Sequence, residues 1–90
     1  MSRKRSKLEV VFDVLDALSK EAVNPTRLAT LANMPYDRLR KLLNELIERG
    51  LVMLEDHGRS QTVVLTLQGY QLHEELKRIK KILEDYGMLD

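Results

Sequence analysis

Five side chains within a short stretch, Tyr36, Arg38, Arg40, Lys41 and Asn44, combine cations, an amide and a phenol. Such groups suit phosphates and base edges in a DNA major groove, where arginine can pair bidentately with guanine and asparagine with adenine. Whether they act together depends on the element that carries them. At 3.6 residues per turn, Leu39, Leu42, Leu43, Leu46 and Ile47 share one side, and Asp37, Arg40, Lys41 and Asn44 share the other. Residues 34–50 therefore read as a helix with a buried face and a displayed one, flanked by Tyr36 and Arg38. Pro35 presets the dihedral of a first turn, Asp37 places a carboxylate near the positive end of the helix dipole, and Arg49 followed by Gly50 marks a stop. Taken alone, the same face would serve as the solvated surface of any helix, so the neighbouring elements decide between the two readings.

Cations that could add phosphate contacts lie at two other places. Arg3, Lys4 and Arg5 form a basic arm over residues 1–5, which has no apolar periodicity. Arg59 follows Gly58 between two apolar runs. The two histidines, His57 and His73, supply no metal-ligand set and are expected at the surface, and the absence of cysteine excludes disulfides and thiolate metal sites. No glycine-rich phosphate loop or nucleophile–base arrangement is present, so a non-enzymatic protein without cofactors is expected.

The positioning elements follow from periodicity and punctuation. Ser6 with Glu9 matches a capping box, and Leu8, Val11, Phe12, Leu15 and Leu18 recur at helical spacing, which predicts a helix over about 7–20. A very short extended piece fits before Asn24, the cap of a second helix that starts at Pro25 and ends near Asn33. Two helices joined this tightly, with small residues such as Ala29, make a helix-turn-helix. After Gly50 the period becomes extended: residues 51–54 and the β-branched run 62–66 predict a hairpin with Gly58 and Arg59 at its tip.

Thr66 can cap a last helix running from Leu67 to about residue 86, tolerating Gly69 in its first turn. Leu72, Leu76, Ile79, Leu83 and Tyr86 then step by four, three, four and three, a heptad seam with Ile82 beside it. Glu74 with Arg78 and Lys80 with Glu84 would pair on its outside. At 1.5 Å per residue this helix is roughly 30 Å long, more than so small a core can cover. A homodimer through the last helix is expected; the alternative is a helix folded back along the first one, burying the same residues within one chain.

Ninety residues bound the result to one small domain. Hydrophobic residues at 43% and charged residues at 32% suit a folded chain, and no apolar run reaches the roughly 18 to 20 residues that cross a bilayer. Without a secretory apolar stretch the chain is expected to remain in the cytoplasm. The net charge is only +1, yet the cations are locally crowded at the N-terminus and at the start of the 34–50 helix.

The order of elements, with the run 32–36, Leu39 and the runs 42–51 and 65–69, resembles the archaeal winged helix-turn-helix DNA-binding proteins, the small chromatin-associated and regulator type with a C-terminal coiled-coil helix. That resemblance implies a mainly α (α+β) fold, with 35–49 as recognition helix, 55–62 as wing and the last helix as an antiparallel coiled-coil pairing element. It also implies double-stranded DNA as partner, and a nucleoid-associated place in the cell. The expected division is an arm at 1–5, a winged helix-turn-helix domain at 6–66 and a dimerisation helix at 67–90. One departure is Pro35, standing where such proteins often carry a capping serine; it removes a hydroxyl that could touch phosphate. Three functions follow as candidates: a dimeric transcriptional regulator, an architectural protein that coats or bridges DNA, and a protein-interaction module.

Overall fold

The computed structural model describes residues 4–88. The elements are α1 (Lys7–Lys20), α2 (Pro25–Leu31), α3 (Tyr36–Glu48), β1 (Val52–Asp56), β2 (Gln61–Leu65) and α4 (Leu67–Asp85). Each start is fixed by local chemistry. Ser6 Oγ accepts from Glu9 N at 3.1 Å while Glu9 Oε1 accepts from Ser6 N at 2.9 Å, so the capping box closes reciprocally. Asn24 Oδ1 accepts from Arg27 N at 2.8 Å, with Pro25 opening α2. Pro35 caps α3 with no side-chain hydrogen bond, as its lack of a hydroxyl requires.

Two left-handed residues make the sharp corners. Asn33 (φ 55°) reverses the chain between α2 and α3, where Met34 N donates to Ala29 O at 2.9 Å. Gly50 (φ 74°) ends α3, and Leu51 N donates to Leu46 O at 2.9 Å, satisfying a helix-end carbonyl. β1 and β2 then pair antiparallel from Val52↔Leu65 to Asp56↔Gln61. The short extended piece before Asn24 is present as a bridge between Val23 and Val63, with Val63 N on Val23 O at 2.7 Å.

The core gathers one stripe from every element but α4: Val14, Leu15 and Leu18 of α1, Leu28 and Ala29 of α2, Leu39, Leu42, Leu43 and Leu46 of α3, and Val52, Val63 and Leu65 of the hairpin. Thr66 ties the last element in, because its hydroxyl donates to Gly50 O at 2.6 Å and accepts from Gly69 N at 3.1 Å. Gly69 is needed for close approach rather than for backbone freedom: a methyl there would run into the Leu51 carbonyl oxygen.

α4 lies antiparallel to α1, since Asp16 meets His73 while Phe12 meets both His73 and Lys80. Its seam divides. Leu72 and Leu76 pack half-buried against the core of their own chain, whereas Ile79 and Ile82 are 44% and 42% exposed and Tyr86 is 78% exposed, with Leu83 intermediate. The folding back along α1 thus accounts for the first half of the seam only.

Three expectations are corrected here. His73 is not at the surface: it is 3% exposed, with Nε2 2.9 Å from Asp16 Oδ1 and its ring stacked on Phe12 at 5.6 Å. A carboxylate only accepts, so His73 Nε2 carries the proton and donates. Burial pushes the Asp16 carboxyl up, but the His73 hydrogen bond and the Lys20 ammonium at 3.4 Å outweigh it and hold that carboxyl below its usual range. The outer pairs on α4 also differ: Arg78 bonds Glu75 and Lys81 lies 3.8 Å from Asp85. Glu74 Oε1 lies 3.9 Å from His73 Nδ1, with no hydrogen bond between them, and Lys80 sits over the Phe12 ring; neither makes the pairing expected of it. Finally, Arg5 is not a free arm cation, as described below.

Candidate nucleic-acid interface

α3 turns four leucines inward, each 7% exposed or less, and this fixes which of its polar groups face out. Asp37, Lys41 and Asn44 occupy the side opposite the leucines, and Tyr36 and Arg40 lie along the edge toward the hairpin. Arg38 lies on the other edge, roughly 160° around the helix from Arg40. Tyr36 is 46% exposed and Arg40 half-buried.

The hairpin completes a groove beside that edge. Tyr36 and Arg40 of α3, Gly58, Arg59 and Ser60 of the turn, Asp56 and Gln61 at the strand ends, and Asn24 with Pro25 at the start of α2 line an open groove of about 420 Å³. The tip is held in shape by local bonds: His57 N donates to Ser60 O at 2.8 Å, and Gly58 N donates to Asp56 Oδ1 at 2.9 Å with Gly58 at φ 84°. Tyr36, Arg40 and Arg59, far apart in sequence, are therefore brought to one cleft. Asn24, Ser60 and Gln61 line it too; the sequence reading treated Asn24 only as a helix cap, and the β2 pairing register is what turns Gln61 toward the tip.

Ion pairing divides the described cations into two sets. Arg5, Lys7, Lys20, Arg27, Arg78 and Lys81 are each held by a carboxylate, at 2.7 to 3.8 Å. Among the described residues Arg38, Arg40, Lys41 and Arg59 have no such partner, and neither do Lys4, Arg49, Lys77 and Lys80, the last of which lies over the Phe12 ring. One carboxylate of α3 is neutralised from outside the helix: the Lys7 ammonium, 2.8 Å from Glu45 Oε2, hydrogen-bonds that carboxyl and holds it below its ordinary range.

The remaining candidates fall elsewhere. Arg3 lies outside the described residues, and Lys4 is exposed. Arg5 turns inward, donating from Nη1 to Asp13 Oδ2 (2.7 Å) and Ala32 O (2.9 Å) and from Nη2 to Asn33 O (2.7 Å). The sequence held a signal for this, an acidic residue on the first helix eight positions on, but not the turn carbonyls it reaches. Among the described residues no cluster of histidine and carboxylate side chains could hold a metal ion.

A helix-turn-helix followed by a two-stranded wing, with unpaired cations on its second helix and wing tip, defines a winged helix-turn-helix protein. The chain matches the winged helix-turn-helix family over residues 4–84 and belongs to it. Solved structures share the fold. Sso10a-2, a DNA-binding protein from Sulfolobus solfataricus, has 23% identity over 91% of this chain and 85% of its own, with a TM-score of 0.78. The MarR family transcriptional regulator SPO1453 from Silicibacter pomeroyi DSS-3 has 31% identity, covering 86% of this chain and 57% of that one, at a TM-score of 0.73. The transcriptional regulator BldR from Sulfolobus solfataricus has 21% identity over 90% of this chain and 62% of its own, at 0.76. This chain thus spans under two thirds of both regulators. No curated protein matches its sequence.

Proposed function

We propose that this protein is a non-enzymatic, DNA-binding transcriptional regulator that lays α3 in the major groove and its wing along the adjacent backbone, acting as a homodimer through the exposed half of α4. The observation that carries this reading is the groove that Tyr36, Arg40 and Arg59 share between α3 and the wing, with Lys41 on the adjoining face of α3 and none of these three cations held by a carboxylate. A helix fits the major groove in width, and a cation without an internal partner breaks no ion pair when it meets a phosphate. Arg40 and Asn44 would read bases; Tyr36, Lys41, Arg38 and Arg59 would fix register through phosphates, with Lys4 and Arg3 adding contacts from the arm.

The dimer rests on Ile79, Ile82, Leu83 and Tyr86. Fully burying an exposed side chain of this kind contributes on the order of 1.5 to 3 kcal/mol; Ile79 and Ile82, already more than half covered, gain roughly half of that, and two symmetric stripes double the sum against the cost of association. In this arrangement residues 6–66 with the first half of α4 form the DNA-binding unit, and the second half of α4 joins two of them.

Selection of bound duplexes from a random DNA pool tests the reading. A motif with two-fold symmetry is expected, because closed dimers recognise paired half-sites. Enrichment without a motif would instead support a coating or bridging protein of the nucleoid, and no retained DNA would leave the fold as a protein-interaction module.

A further inference from the structure

We infer that Arg5 is a positioning residue for α3: an internal clasp that holds the turn of the helix-turn-helix, rather than a DNA contact. The inference rests on the DNA-binding role proposed above. Its geometry is that of a guanidinium fork. Nη1 reaches Asp13 Oδ2 at 2.7 Å and Ala32 O at 2.9 Å, and Nη2 reaches Asn33 O at 2.7 Å. Ala32 and Asn33 are the residues that end α2, whose last carbonyls have no partner within the helix, and Asn33 is the left-handed residue (φ 55°) that sets the direction in which α3 departs. A planar fork with donors on both tips can satisfy two adjacent carbonyls and a carboxylate together, which a lysine ammonium cannot do with the same geometry.

The clasp is anchored at both ends. Ser6, the next residue, is locked as the cap of α1 by its reciprocal bonds with Glu9, and Asp13 stands two turns further along the same helix. Lys7 adds a second link two residues on, to Glu45 on the flank of α3. The segment 5–7 thus grips both the turn and α3 from α1, leaving the opposite edge of α3 to the wing groove.

Asp13→Asn separates the clasp from a phosphate contact by sign. If Asp13 merely restrained an Arg5 that could reach DNA, Asp13→Asn would release it and tighten binding. If Arg5 is a clasp, Asp13→Asn and Arg5→Ala weaken binding to a duplex taken from the random-pool selection. The expected loss is on the order of three- to thirtyfold, and the two changes together do little more than either alone. The slope of log affinity against log salt stays at the unmodified value, whereas removal of a phosphate contact flattens it by about one unit. Both variants also speed hydrogen exchange at the Asn33 and Met34 amides, a readout that requires no DNA. Tighter binding by Asp13→Asn, a flattened slope in Arg5→Ala, or unchanged exchange at that turn would overturn the clasp. Should the unmodified protein bind no duplex, the DNA reading fails, and the exchange measurement still decides the clasp.

Discussion

α3 and α4 are both amphipathic, but they leave opposite kinds of surface unfinished. The thirteen residues of α3 bury four leucines against the core and leave cations without partners on the far side. The nineteen residues of α4 bury only Gly69 and His73; Leu72 and Leu76 are half-covered, Ile79 and Ile82 remain exposed, and Tyr86, which caps the helix, is exposed further. On α4 two ion pairs take up Glu75, Arg78, Lys81 and Asp85, and Lys80 lies over the Phe12 ring, while the apolar groups past Leu76 stay uncovered. On α3 the reverse holds. A helix that has exhausted its apolar face but not its charge is suited to a polyanion, and a helix that has done the opposite is suited to another apolar stripe.

That contrast has measurable consequences. The largest is in stability: Leu43→Ala removes a side chain that is 1% exposed and should cost about 2 to 5 kcal/mol in urea unfolding. Ile79→Ala, measured in dilute protein, should cost within about 1 kcal/mol. Equal losses would mean that the α4 stripe is already covered within one chain. Placing Glu at both Ile79 and Leu83 should convert the proposed dimer to a folded monomer by light scattering and lower DNA affinity, because two linked half-sites become one. A monomeric unmodified protein at micromolar concentration would remove the apolar half of the contrast.

A smaller effect tests the buried polar contact that seats α4 on α1. Because the folded Asp16 carboxyl is held below its usual range, its contribution is fully present above the unfolded carboxylate value, roughly 4, and is lost as the pH falls through the depressed folded value. Asp16→Asn should therefore destabilise by about 1 kcal/mol at neutral pH, discounted because the side chain is 34% exposed, and the gap between the two proteins should close in acid. A gap that persists unchanged at low pH would show that the carboxylate charge is not what His73 requires.

Much of the fold was legible because its signals are local. The Ser6–Glu9 capping box, Asn24 before Pro25, the Gly50 stop and the Thr66 cap all lie where the sequence places them, and the apolar spacing of α3 defines its buried face directly. What was not legible depends on partners distant in the chain. His73 has the composition of a surface residue, and only the antiparallel run of α4 along α1 brings it to Asp16 and Phe12. Arg5 looks like a tail cation until the α2–α3 turn is folded against it. The seam of α4 reads as continuous, although the width of the core cuts it after Leu76. In the candidate interface, helical spacing was enough to place Lys41 and Asn44 opposite the leucines, but the half-buried position of Arg40 on the hairpin edge and the groove it shares with Arg59 required the hairpin register.

The most direct measurement of the central claim, that the polar side of α3 meets DNA, is a pair of titrations of Arg40→Ala beside the unmodified protein. One uses a duplex from the random-pool selection and the other uses random-sequence DNA. Arg40→Ala should lose about 1 to 3 kcal/mol on the selected duplex, chiefly at one base position, and much less on random DNA. Unchanged affinity for both duplexes would contradict the placement of α3 at the interface.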